Sequence, residues 1–163
     1  MKKITEKRNY KTNNIDEIPV LESLKIINAE DKKIINAVKN NLYNIEKVID
    51  RAVFCLSNGG RLVYIGSGTS GRLGVLDAVE CVPTFSIDKN KIVGIISGGH
   101  DAMFNAIEGA EDNKEQAIID LKRNKLSNKD FLIGISANGE NPYVLSALEY
   151  ACSIGTKTGF LVC

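Results

Sequence analysis

Short apolar runs in this chain repeatedly end in a polar turn that carries glycine and opens straight into a helical pattern. That alternation narrows the fold more than any other feature. Arg61-Leu62-Val63-Tyr64-Ile65 runs into Gly66-Ser67-Gly68-Thr69-Ser70-Gly71 and a helix from about Ser70 to Cys81. Pro83 is expected to stop that helix. Lys91–Ile96 runs into Ser97-Gly98-Gly99, and helical pattern resumes around Ala102–Ile107 and again over Lys114–Lys122. Asp130–Ser136 runs into Ala137-Asn138-Gly139-Glu140-Asn141, with Asn141 as the cap of a helix whose first residue is Pro142. Gly155 ends it, and Gly159–Cys163 reads as a fourth strand. Strands this apolar are covered on both faces, with helices as crossovers. The expected fold is α/β: a doubly wound parallel sheet in three layers, α/β/α. A chain that stops on a buried strand also predicts a truncated piece of a longer protein.

Residues 1 to about 28 are polar and read as an arm with one short helix, either a loose terminus or a strap across a neighbouring subunit. Asn28-Ala29-Glu30-Asp31 has the spacing of a capped helix start. Apolar residues then recur at Ile35, Val38, Leu42, Ile45, Ile49, Ala52 and Leu56, until Asn58-Gly59-Gly60 ends the helix. This stripe is either a core seam or a dimer seam. The expected division is an arm and long helix over 1–57 and an α/β domain over 58–163, incomplete at its C-terminus.

A net charge of +1 gives no field to recruit nucleic acid or a membrane surface. The four cysteines form no CxxC pair and the single histidine, His100, is close to none of them. That excludes the usual zinc patterns and suits reduced thiols in a cytoplasmic protein. No long apolar run suggests a membrane span.

The chemistry is concentrated at the turns. In Gly66–Gly71, small residues admit a ligand close to the backbone, free N–H groups and the helix dipole favour an anion, and Ser67, Thr69 and Ser70 add hydroxyls. The G-x-G-x-x-G spacing resembles a dinucleotide fingerprint, but no acid follows the second strand, and three hydroxyls suit a compact phosphate monoester better. A merely tight turn is the bland alternative. Ser136–Pro142 offers a second polar loop at the same edge of the sheet, so Ser136, Asn138, Gly139 and Asn141 are candidate ligands beside Ser67, Gly68, Thr69 and Ser70. Two acidic positions stand out as well. Glu80 lies among apolar residues at a helix end, where partial burial would favour its protonated form. Glu111 sits in the acidic corner Glu108-Gly109-Ala110-Glu111-Asp112. On pattern alone, the bland reading of either glutamate is a solvated surface acid.

Gly60–Phe85, Ile96–Gly99, Glu108–Asp112 and Pro142–Leu145 resemble the motifs of N-acetylmuramic acid 6-phosphate etherases, as do Thr5–Asn9 and Asn28–Asp31. The resemblance covers essentially the whole chain. It implies a sugar-isomerase (SIS) domain, a cytoplasmic homodimer, a small phosphorylated amino sugar as the partner, and no metal or organic cofactor. It also implies cleavage of the D-lactyl ether to N-acetylglucosamine 6-phosphate and D-lactate, with Glu80 as acid and Glu111 as base. The second loop departs from the family pattern: Asn138-Gly139-Glu140-Asn141 replaces Ser-Gly-Arg-Thr. Glu140 is therefore expected to face solvent, and Asn141 to replace a hydroxyl donor. A non-catalytic regulatory SIS module that binds a sugar phosphate is the alternative, since it needs the loops but not both glutamates.

Overall fold

The protein was analysed as a computed structural model that describes residue 5 and residues 7–163. Of the Thr5–Asn9 motif, Glu6 lies outside the described residues. The chain divides into two compact units, a first ending at Ile49 and a second, Asp50–Cys163.

In the first unit, a 3-10 turn over Tyr10–Thr12 precedes helix α1, Val20–Asn40. The helix starts one residue after Pro19, not at Asn28. Proline is tolerated just ahead of a helix because it has no N–H to satisfy. Glu30 is not a cap but a mid-helix acid that accepts from Lys33 and from Lys11. Helix α2, Leu42–Ser57, follows a break at Asn41, whose side-chain amide donates to the Ala37 carbonyl. The expected single helix is therefore two. Asparagine competes for backbone groups of the preceding turn and interrupts the helical ladder.

The second unit is built on strands β1 (Leu62–Gly66), β2 (Ile92–Ile96), β3 (Phe131–Ile135) and β4 (Lys157–Leu161). All neighbours are parallel, in the order β2-β1-β3-β4. Helix α3 (Gly68–Phe85) joins β1 to β2, α4 (Lys114–Arg123) precedes β3, and α5 (Pro142–Ser153) joins β3 to β4. Alternate residues of each strand face opposite layers. Val63, Ile65, Ile95 and Leu132 meet Ala117 and Leu121 of α4 and Val144, Ala147 and Ala151 of α5. On the other face, Leu62, Phe131 and Ile133 meet Cys55 and Leu56 at the end of α2. Helix α3 lies on this second face as well, since a Cβ on Gly74 would come within 2.8 Å of the Tyr64 Cβ. The expected doubly wound three-layer fold is present.

Four local expectations are corrected. Pro83 lies inside α3, which continues to Phe85 and ends at Ser86 in the left-handed region (φ 52°). In a last turn, proline forfeits one backbone bond without having to stop the helix. Ala102–Ile107 is not a helix; only a 3-10 turn forms, over His100–Met103. The Arg72 guanidinium takes the carbonyls of Met103 and Asn105 at 3.1 and 3.0 Å, which stabilises this irregular path. The fourth strand begins at Lys157, two residues before Gly159, and it is not buried. Among the described residues it is the edge strand of the sheet, and Phe160, Leu161 and Val162 are exposed. Glu80 is also exposed, contrary to the partial burial expected of it. The inward face of α3 is Gly71, Gly74, Ala78 and Cys81, and Glu80 falls outside that stripe.

Across the sheet's N-terminal edge, Arg61 braces β1 to β3. Its backbone N–H and Nε donate to Asp130 Oδ1 at 3.0 and 3.1 Å, and its terminal nitrogen reaches Oδ2 at 2.8 Å. Burial pushes the Asp130 carboxyl up, but the Arg61 guanidinium and the Ser127 N–H and hydroxyl outweigh it and hold it below the usual carboxylate range.

Candidate functional site

The glycine-rich turn after β1 has the geometry that close strand-to-helix packing requires. A Cβ on Gly71 would lie 2.7 Å from the Gly66 carbonyl oxygen and 2.7 Å from Ile96 Cγ1. Only glycine at both 66 and 71 lets α3 start directly against the strand that feeds it. Gly68 has φ 52° and nothing within 4 Å of its Cβ direction, so glycine is needed there for conformation, not space. Ser67 is the N-cap residue of α3 but makes no side-chain cap bond. Its Oγ instead donates across the sheet edge to Asn141 Oδ1, at 3.3 Å. Gly68 and Thr69 are exposed and Ser70 is half-buried, so the helix N-terminus opens to the surface.

The loop after β3 is tied from within. Buried Ser136 donates through Oγ to Asn138 Oδ1 at 3.3 Å and accepts from the Gly139 N–H at 3.2 Å. Asn138 Oδ1 also accepts from the Glu140 N–H at 3.0 Å. Ser136 thus shapes the loop, while Asn138 stands at the surface and Gly139 adopts φ 71°. Glu140 is exposed, as expected of it.

Asn141 joins the two loops. Its Oδ1 accepts from the Val144 N–H at 3.1 Å, which makes it the N-cap of α5, and from Ser67. Its Nδ2 donates to Glu111 Oε2 at 3.2 Å. Glu111 belongs to a 3-10 turn, Ala110–Asp112, that follows Gly109 at φ 72°. The structure therefore brings Ser67, Asn141 and Glu111 into one hydrogen-bonded chain at the C-terminal edge of the sheet. Open sheets of this kind bind ligands there.

Glu80 is not part of this group. Residues along α3 match the levels of β2: Gly71 sits against Ile96, and Val75 against Gly94. Glu80 lies further along, near the opposite edge of the sheet. Two other side chains carry weight that the sequence reading did not assign. Tyr143 donates to Asp120 Oδ2 at 2.7 Å, buried beneath the start of α5, and Gln116 donates to Asp120 Oδ1 at 2.8 Å. Burial, then the Asp120 carboxylate, pushes the Tyr143 hydroxyl far up. Arg72 holds the turn after β2. A tyrosine at the second position of an apolar helix start was the available signal for the first; nothing local marks the second.

A cleft of about 230 Å³, lined by Arg51, Cys55, Lys129 and Lys157 among others, lies toward the N-terminal edge and contains none of the predicted ligands. Burial pushes the Cys55 thiol up, which suits a structural thiol better than a reactive one. Among the described residues, no cluster of three or more His, Cys, Asp or Glu has the arrangement of a metal site. No helix among them is long and apolar enough to cross a membrane.

Comparison with known proteins agrees with this fold. A phosphoheptose isomerase from Neisseria gonorrhoeae has the same fold, with a TM-score of 0.66 and 18% identity over 88% of this chain and 75% of its own. An N-acetylmuramic acid 6-phosphate etherase of Geobacillus sp. (strain WCH70) is 50% identical over 98% of this chain and 54% of its own length. One of Clostridium botulinum (strain Okra / Type B1) is 51% identical over 99% of this chain and 54% of its own. The chain thus spans about half the length of these relatives. The family profile of the glucokinase regulatory protein N-terminal SIS domain matches residues 44–152. The match covers the glycine-rich turn, the acidic corner and the Asn141 cap, and the chain belongs to that SIS-domain family, close in sequence to the N-acetylmuramic acid 6-phosphate etherases.

Proposed function

We propose that the protein cleaves the D-lactyl ether of N-acetylmuramic acid 6-phosphate to N-acetylglucosamine 6-phosphate and D-lactate. The observation that carries this reading is the chain from Ser67 through Asn141 to Glu111, which couples a phosphate-type turn to a carboxylate. Ser67, Thr69, Ser70 and Asn138, with the N-terminus of α3, hold the phosphate through neutral donors and the helix dipole. That remote grip fixes the sugar for chemistry elsewhere on the ring.

In the ring-opened sugar, the C1 aldehyde acidifies the C2 proton. Glu111, oriented by the Asn141 amide, accepts that proton. The C2 electron pair becomes the C2–C3 double bond as the C3–O bond breaks, and lactate leaves with the proton donated by Glu80 of the second copy in the homodimer, because within one copy Glu80 stands away from this group along α3. Water then adds across the double bond, hydroxyl to C3 and proton to C2. The reading also takes the protein as a cytoplasmic homodimer that acts without a cofactor.

The match to a glucokinase regulatory protein profile favours one alternative, a sensor that binds a sugar phosphate without turning it over. Incubation of the full-length protein with the substrate separates the two. Release of D-lactate supports the etherase; tight binding without lactate supports the sensor.

A further inference from the structure

We propose that the cleft toward the N-terminal edge of the sheet is a second anion site, which takes the phosphoryl group of a small molecule. Arg51 and Phe54 reach it from α2, Lys129 and Asp130 from the turn into β3, and Lys157 from the start of β4. The sheet register brings the last of these to the others. Lys157 is the β4 partner of Phe131, and Phe131 shares a core with Cys55 at the end of α2. Paired residues of neighbouring strands face the same layer, so Lys157 faces the layer of α2. The cleft is separate from the candidate site described above. Asp130 and Ser136 stand at opposite ends of β3, about 20 Å of extended chain apart. One compact ligand cannot span that distance.

Charge decides what the cleft can hold. Among the described residues, no carboxylate forms an ion pair with Arg51, Lys129 or Lys157. The lining has one carboxylate, Asp130, and it is already taken: Arg61 reaches it at 2.8 Å, and the Ser127 N–H and hydroxyl donate to it as well. Three cations therefore face one concave space with no counter-charge of their own, and such a cleft concentrates anions. Its volume of about 230 Å³ is below the ~300 Å³ at which sites for drug-sized ligands begin, so the ligand is compact. Arginine and lysine only donate, and a phosphoryl group offers three acceptor oxygens and about two negative charges at neutral pH. Phe54 is 59% exposed, with the Arg51 guanidinium 5.4 Å from its ring centroid. Its ring offers an apolar surface to whatever group the phosphate is attached to.

The test is a backbone-amide NMR titration of the full-length protein with inorganic phosphate and, separately, with phenyl phosphate, the ionic strength being held constant with potassium chloride. The amides of Lys129, Asp130 and Lys157 are expected to shift along one saturating curve, separate from any curve followed by Gly68, Thr69 and Ser70. The double variant Lys129→Met, Lys157→Met changes two exposed positions and should weaken the first curve at least about tenfold while leaving the second in place. Lys129→Arg with Lys157→Arg should retain both. Tighter binding of phenyl phosphate identifies an ester that rests on Phe54; binding no tighter than inorganic phosphate identifies the free anion. The proposal is overturned if the cleft amides do not saturate, if the methionine variant titrates like wild type, or if potassium chloride alone reproduces the shifts. Lactate release enters none of these outcomes, so the etherase reading stands or falls separately.

Discussion

The side-chain amide of Asn141 donates to Glu111 at 3.2 Å while its carbonyl oxygen accepts from Ser67 at 3.3 Å, so a single residue spans both halves of the site. The same oxygen caps α5. Asn141→Asp keeps an equally good cap but replaces the donor with a carboxylate facing Glu111. Its unfolding midpoint should stay close to wild type while kcat falls at least about tenfold. Asn141→Ala should lose both, with a stability loss of about 1 kcal/mol in chemical denaturation. Wild-type activity in Asn141→Asp would mean that the contact with Glu111 plays no part in turnover.

Under the proposed mechanism, the two glutamates separate by what each does to the C2 proton. Glu111→Gln should abolish both turnover and exchange of that proton with solvent deuterium. Glu80→Gln should abolish turnover but spare some exchange, because deprotonation precedes lactate departure. Mass spectrometry of recovered substrate reads the difference. The opposite pattern would reverse the assignment.

Gly71→Ala forces a methyl against the Gly66 carbonyl and Ile96. We expect a loss of about 1–3 kcal/mol from this overpacking and weaker phosphate binding as the turn shifts. Gly68→Ala meets no atoms, so its cost should be about 1 kcal/mol from the left-handed backbone alone. Thermal melts with and without sugar phosphate distinguish the two effects.

Asp130 carries a pH signature. Its folded-state carboxyl is held below its ordinary value of 3.8, so the stability it contributes is present above that value and is lost as pH falls through the lower folded one. Denaturation from about pH 5 down to about pH 2 should show wild type losing its advantage over Asp130→Asn as acid is added. At neutral pH, Arg61→Met should cost about 3 kcal/mol, because it leaves a buried carboxylate without its cation. An unchanged wild-type advantage at low pH would show that the brace is not ionic.

Glu30 makes the parallel case on α1. The ammonium groups of Lys33 and Lys11 hold its carboxyl at about 2. Carboxyl NMR should find it still ionised at pH 3, and Lys11→Met should raise its midpoint.

The sequence carries what is local. Asn141 before Pro142 reads as a cap because capping depends on the next three residues. Gly66 and Gly71 read as a ligand turn because the strand before and the helix after are both contiguous. The bonds from Asn141 to Ser67 and Glu111 span seventy-four and thirty positions, and only the folded sheet edge creates them. The same holds for Arg61 and Asp130, which pattern alone marks as no more than the starts of strands. Glu80 misleads in the other direction. Apolar neighbours in sequence suggest burial, yet the helical period turns Val79 and Glu80 outward, away from Gly74 and Ala78.

The strand order β2-β1-β3-β4 also has a bearing on how the chain folds. β1 can pair early with β2, across a single intervening helix. Its other edge must wait until α3, β2 and α4 have all been made and β3 appears. Parallel pairing at such separation is slow, so a nascent chain carries the open flank of β1 through much of its synthesis. The Ser67–Asn141 bond crosses that last-closing seam. The candidate site therefore comes into being only when the slowest pairing in the sheet is complete, and a chain arrested before it would lack the Ser67–Asn141–Glu111 linkage.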